Sequence, residues 1–232
     1  MKFVVGIDEA GRGPLAGPVA VGVVVTPGNF DWKEILPGVN DSKQLTEKKR
    51  AEIFKIARRL KAAGQFDYAV SLVSANVIDK LGIVPAINQA IKRALKKIEK
   101  RVEKNSAIYR TKKGNSSSSS RSELEQFKWL KKIELKECSV KLDGGLKAPE
   151  EFKNQETIIK GDSKEKVIGL ASIVAKVSRD RYMVRRSAEP TFAPYEFATH
   201  KGYGTKKHRE AIAKNGLSSE HRKSYCKNVI LL

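Results

Sequence analysis

Four acidic residues in this chain stand where an apolar run stops. Phe3-Val-Val-Gly-Ile-Asp8-Glu9, Cys138-Ser-Val-Lys-Leu-Asp143 and Thr157-Ile-Ile-Lys160-Gly-Asp162 each join a short β-branched segment to a carboxylate at or just past its end. Such runs read as strands, and strands of one sheet share ends. Residues as distant in sequence as Asp8 and Asp162 can therefore meet in space. A chain of this kind has to form a sheet with negative charge gathered at one end.

The remaining segments supply the rest of that architecture. Val19–Val25 is a further strand, closed by Thr26-Pro27-Gly28-Asn29, and Asp67–Val73 alternates as another. Thr46 caps a predicted helix with apolar residues Ile53, Phe54, Ile56, Ala57 and Leu60, ended by Gly64. Ser74 caps a short helical turn, and Pro85 opens a helix with Ile87, Ile91, Ala94, Leu95 and Ile98 on one face. Val167, Leu170, Ala171, Val174 and Val177 mark a helix with a small-residue face suited to close packing on a sheet, and Lys206–Asn215 is a last helix ended by Gly216. Strands in a run with helices gathered later predict an α/β fold: a central mixed β-sheet flanked by helices, with a C-terminal helical region.

The 232 residues carry 46 Lys+Arg against 26 Asp+Glu, a net +20. That excess points to a polyanionic partner, nucleic acid being the commonest. No apolar stretch approaches membrane-spanning length, and the early acids leave no signal-peptide core. Cys138 and Cys226 form neither a CxxC nor a zinc spacing, which fits a reduced, cytoplasmic setting. Residues 100–137 hold eleven Lys/Arg and five Glu, and Ser116–Ser120 is a run of serines. This composition predicts a basic, flexible insertion over about 101–137 within an otherwise single domain spanning 1–232.

Chemistry follows from the acids. One aspartate at a strand end is an ordinary turn or cap residue; four in the same relation are not. Converging carboxylates repel, and hard, oxygen-preferring ions such as Mg²⁺ or Mn²⁺ relieve that repulsion. Two such ions roughly 4 Å apart suit phosphodiester cleavage. Asp8 and Glu9 are adjacent, so a regular strand turns them to opposite faces; Gly11 and Gly13 let the chain bend just beyond them. The segment Gly11-Arg12-Gly13-Pro14-Leu15-Ala16-Gly17 is not a dinucleotide loop, because its spacing is GxGxxxG, Pro14 lacks an amide donor, and Asp8-Glu9 repel a pyrophosphate. Lys176 and Arg179 read as structural, Arg179 pairing with a nearby acid.

Gly6-Ile-Asp8-Glu9-Ala-Gly11-Arg12-Gly13-Pro14-Leu-Ala-Gly17-Pro18-Val19 resembles the N-terminal signature of ribonuclease HII. Asn40-Asp-Ser42-Lys43-Gln-Leu45, Leu142-Asp143-Gly144, Lys160-Gly161-Asp162-Ser163, Ala171-Ser172 through Arg179-Asp180, and His200-Lys-Gly202-Tyr203-Gly204-Thr205 follow in the family's order, as does the closing His221-Arg222-Lys-Ser224-Tyr225. Gly144-Gly145 stands where the family usually has Gly-Asn. The resemblance implies an RNase H-like fold, cleavage of RNA in RNA/DNA hybrids, and cutting 5′ of single ribonucleotides in duplex DNA. It implies Asp8, Glu9, Asp143 and Asp162 as catalytic acids holding two Mg²⁺ or Mn²⁺ ions. It implies Gly11, Arg12 and Gly13 as the loop that reads the ribose 2′-OH, Tyr203 beside the next deoxyribose, and Lys43 and Ser172 near backbone phosphates. The expected partner is the nucleic acid, with no membrane; the sequence names no protein partner, and a monomer is the default state. The competing expectation is a non-catalytic, basic hybrid-binding protein.

Overall fold

The computed structural model describes residues 3–39, 45–112, 133–227 and 229, with side chains in the longest helix described through residue 104. Strands β1 (Phe3–Ala10), β2 (Val19–Pro27), β3 (Asp67–Val73), β4 (Ser139–Asp143) and β5 (Gln155–Ile158) form one sheet in the order β3-β2-β1-β4-β5. β1 runs antiparallel to β2 and parallel to β4, and β4 runs parallel to β5. Helices α1 (Trp32–Ile35), α2 (Glu47–Ala62), α3 (Ala75–Leu81) and α4 (Ile83–Lys112) fall between the strands, so strands and helices interleave where the sequence suggested strands first. α5 (Gly161–Lys164), α6 (Lys166–Ser187), α7 (Phe197–His200) and α8 (Lys206–Asn215) form the expected C-terminal helical region.

The period-2 geometry of the strands divides the core into two layers. Val5, Ile7, Val19, Val21, Val23, Val140 and Leu142 face α4, whose Ile87, Ile91, Ala94, Leu95 and Ile98 cover them. On the other face Val24 meets α2 and α6 through Ile53, Phe54, Ala57, Leu170, Ala171 and Val174. There α6 lies directly on the backbone. A Cβ added to Gly6 would sit 2.4 Å from the Val167 carbonyl oxygen, and one added to Gly22 would sit 2.2 Å from that of Ala171. The two glycines and the small residues of α6 permit this approach, which sets the depth at which α6 side chains meet the strand ends. A third cluster, Ala16, Met183, Phe192, Tyr195, Phe197 and Ile212, ties the C-terminal helices to the loop after β1.

Two sequence boundaries move. The insertion expected to start near 101 is helical up to Lys112, and at its start Arg101 reaches back to Asp67 Oδ2 at 2.8 Å and to the Tyr68 carbonyl at 2.9 Å. At its other end Ile133 and Leu135 are core residues; the serine run lies outside the described residues. The strand expected at Thr157–Lys160 is instead Gln155–Ile158, and Ile159 points into solvent. Its pairing with β4, Asp143 opposite Ile158, outweighs the local apolar pattern.

Candidate active site

Register places the acids. Ile7 pairs with Leu142 across the parallel β1–β4 ladder, and both face α4. The next residues, Asp8 and Asp143, are therefore neighbours turned to the opposite face, toward α6. Asp8 is buried, its carboxyl hydrogen-bonded to the Ser172 side chain on α6 and accepting the Glu9 amide at 2.7 Å. Burial first, then the charges of Glu9 and Asp143, raise the Asp8 pKa well above the ordinary aspartate value; the Ser172 and Glu9 hydrogen bonds oppose the shift. Asp143 Oδ1 accepts the Gly161 amide at 2.6 Å, which fastens the turn after β5 to the end of β4. Asp162 follows that amide by one residue and is buried in the first turn of α5.

Asp8, Glu9 and Asp143 thus interact at one end of the sheet, with Asp162 attached through the Asp143–Gly161 bond. β1 continues regularly through Ala10, so the bend expected right after the acidic pair comes at Gly11, where φ is +88°. Among the described residues no three His, Cys, Asp or Glu side chains stand close enough together to hold one ion. The donor chemistry nonetheless fits hard divalent ions: carboxylate oxygens only, with one carboxylate buried against two like charges.

Beside the acids lies a cleft of about 410 Å³ lined by Glu9, Ala10, Gly11, Arg12, Gly13, Arg50, Ser172, Lys176 and Tyr203. Tyr203, a possible core residue by sequence, is 42% exposed on its wall, with Lys176 Nζ 5.4 Å from the ring centroid. Arg12 Nη1 donates to Glu9 Oε1 at 3.2 Å. Lys43 falls outside the described residues. Lys176 pairs with Asp180 at 2.9 Å and also lines the cleft. Arg179 does not pair with an acid as expected. Its guanidinium is fully buried and donates to the carbonyls of Ala16 and Pro18 in the β1–β2 connection and of Lys201 just after α7, so backbone carbonyls take the place of the acid.

The chain's three histidines, which the sequence did not single out, meet behind Tyr203. Ser218 N–H donates to His221 Nδ1 at 2.9 Å, and the Nε2 atoms of His221 and His208 are 3.1 Å apart. His208 Nδ1 lies 2.9 Å from the Tyr203 carbonyl oxygen. A carbonyl only accepts, so Nδ1–H of His208 donates to it; His208 Nε2 then accepts from His221 Nε2–H. This chain of bonds works only with both rings neutral, since a further proton would set two N–H groups against each other. Burial, helped by the neighbouring histidines, lowers both pKa values from 6.5 to about 4. Unfolded imidazoles protonate near their ordinary value, so between about pH 6.5 and 4 the unfolded chain binds more protons and stability falls as pH falls. The expected loss is roughly 2–4 kcal/mol by pH 5. Thermal melts from pH 7 to 5 check it, and a midpoint that stays constant over that range contradicts the arrangement.

A family model described as Ribonuclease HII matches residues 5–228. A Ribonuclease HII of Caldicellulosiruptor bescii is 39% identical over 231 residues, covering 100% of this chain and 90% of the relative. Among solved structures, the ribonuclease H2 of Pyrococcus horikoshii OT3 superposes with a TM-score of 0.59 at 23% identity, covering 99% of this chain and 97% of its own. A structure of Bst-RNase HIII in complex with Mn²⁺ gives 0.53 at 16% identity, covering 99% of this chain and 70% of its own. At those identities the two structures speak for the fold: a mixed sheet flanked by helices.

Proposed function

Because the chain belongs to the ribonuclease HII family, we propose that its acidic sheet end nicks duplex DNA on the 5′ side of a single ribonucleotide by a two-ion mechanism. Membership makes it a type 2 ribonuclease H, a divalent-metal-dependent hydrolase acting on the RNA strand of RNA/DNA hybrids. That sets aside the reading as a non-catalytic binder. The observation that carries the finer proposal is the juxtaposition of Asp8 and Asp143 on one sheet face, with Glu9 adjacent, beside a cleft walled by Gly11–Gly13 and Tyr203.

In this reading Asp8, Glu9, Asp143 and Asp162 hold Mg²⁺ or Mn²⁺. Ions bound there supply activation of the attacking water and stabilisation of the leaving 3′ oxygen. Ser172 holds the Asp8 carboxyl in place from α6. The 2′-OH is the one group that separates a ribonucleotide from its deoxy neighbours, and the Gly11–Gly13 backbone, reached without a bulky side chain at either glycine, recognises it. The Tyr203 ring packs against the next sugar, where a missing hydroxyl leaves room for it. Arg12, Arg50 and Lys176 bring positive charge to the same cleft, and Lys43 serves a phosphate. Cys138 and Cys226, both buried and free, suit the reducing cytoplasm. Among the described residues no helix is long and apolar enough to cross a membrane.

The test is a duplex carrying one ribonucleotide, incubated with Mg²⁺, Mn²⁺ or EDTA. The expected product is a single nick with 3′-OH and 5′-phosphate ends under either ion and none in EDTA. A full-length duplex under both ions, or a cut that ignores the ribonucleotide, overturns the proposal.

A further inference from the structure

Apart from His221, the closing motif His221-Arg222-Lys-Ser224-Tyr225 has no part in the site described so far, yet it is threaded against the cleft loop. Arg222 N–H donates to the Leu15 carbonyl, Gly17 N–H to that of Glu220, and Ala16 pairs with His221 in an isolated bridge. The Arg222 guanidinium is fully buried and donates to three carbonyls: Gly11 at 2.6 Å, Arg12 at 2.9 Å and Gly17 at 3.0 Å. Among the described residues it makes no ion pair with a carboxylate; the negative ends of peptide dipoles stand in for one. Burial and the nearby Arg179 push its pKa down to about 10, so it remains charged at neutral pH.

A trans peptide is planar, with its C=O and N–H on opposite sides. When Arg222 draws the carbonyls of Gly11 and Arg12 inward, the amides of the same peptide units, on Arg12 and Gly13, turn outward. Both residues line the cleft, and among the described residues neither amide donates to a protein acceptor. We propose that Arg222 is a positioning residue for ribose recognition: it aims the Arg12 and Gly13 amides at the 2′ oxygen by holding the carbonyls behind them. This rests on the reading of Gly11–Gly13 as the hydroxyl-sensing loop. Lysine cannot replace it, since one ammonium lacks the rigid fork that spans three peptide units.

The experiment measures binding in EDTA, apart from any turnover, to a duplex with one ribonucleotide and to the same duplex in all-deoxy form. Wild type is expected to prefer the ribonucleotide by about fivefold or more, the worth of a hydrogen bond or two. Arg222→Lys should lower that preference to less than about twofold while its affinity for the all-deoxy duplex stays within about twofold of wild type, since phosphate contacts are untouched. A preserved ribose preference in a folded Arg222→Lys protein overturns the proposal. Absence of any preference in wild type instead removes the reading of the loop on which it rests. Should Arg222→Lys fail to fold, Asp79→Ala decides. Asp79 accepts from the Lys223 and Ser224 amides at 2.8 and 3.0 Å and lies on the surface of α3, so its loss slackens the same segment. An intermediate preference supports the proposal, and a full wild-type preference overturns it.

Discussion

Asp8→Asn is expected to lower cleavage roughly a thousandfold, about 4 kcal/mol of transition-state stabilisation, while leaving hybrid binding nearly intact. Asparagine keeps the shape, and its side-chain oxygen can still accept the Glu9 amide and the Ser172 hydroxyl. Only the charge goes. That charge is buried against Glu9 and Asp143, where it opposes folding, so the variant should melt above wild type rather than below it. Cleavage rates with Mg²⁺ and Mn²⁺, anisotropy on a hybrid and a thermal melt separate the outcomes. A fall in binding as large as the fall in cleavage would place Asp8 on the substrate and not on the ions.

Gly11→Ala is expected to destabilise the fold by about 3 kcal/mol, whereas Gly13→Ala is not expected to move the melting midpoint. The two glycines look alike in sequence. Gly11 has φ +88°, and a Cβ there would lie 2.0 Å from Arg179 Nε and 2.4 Å from its Cδ, a guanidinium already fixed to three carbonyls. At Gly13 an added Cβ meets no atom within 4 Å. A methyl at Gly13 therefore obstructs only what enters the cleft. Gly13→Ala should reduce cleavage at a single ribonucleotide with its stability unchanged, and Gly11→Ala should lose both. Equal melting midpoints for the two variants would show that Arg179 does not fix the loop.

The sequence by itself determined most of the local elements and offered the four acids as candidates. β-branched runs named the strands, and Thr46 and Thr205 cap α2 and α8 through bonds to Lys49 N and His208 N, interactions that span three residues. Asp143 was legible as the last residue of β4, whereas Asp8 and Glu9 lie within β1, which runs on to Ala10, and Asp162 lies in α5 beyond the end of β5. Tertiary structure alone decided the parallel β1–β4 register that sets Asp8 beside Asp143, the length of α4, and the partners of the buried cations. Arg179 and Arg222 find their carbonyls 161 to 211 residues away, apart from Lys201, and the histidines meet, His208 bonded to His221 and stacked on His200, only when α7, α8 and the closing segment pack together. A buried charge takes its partner from whatever backbone the fold leaves unsatisfied, and no local pattern encodes which backbone that is.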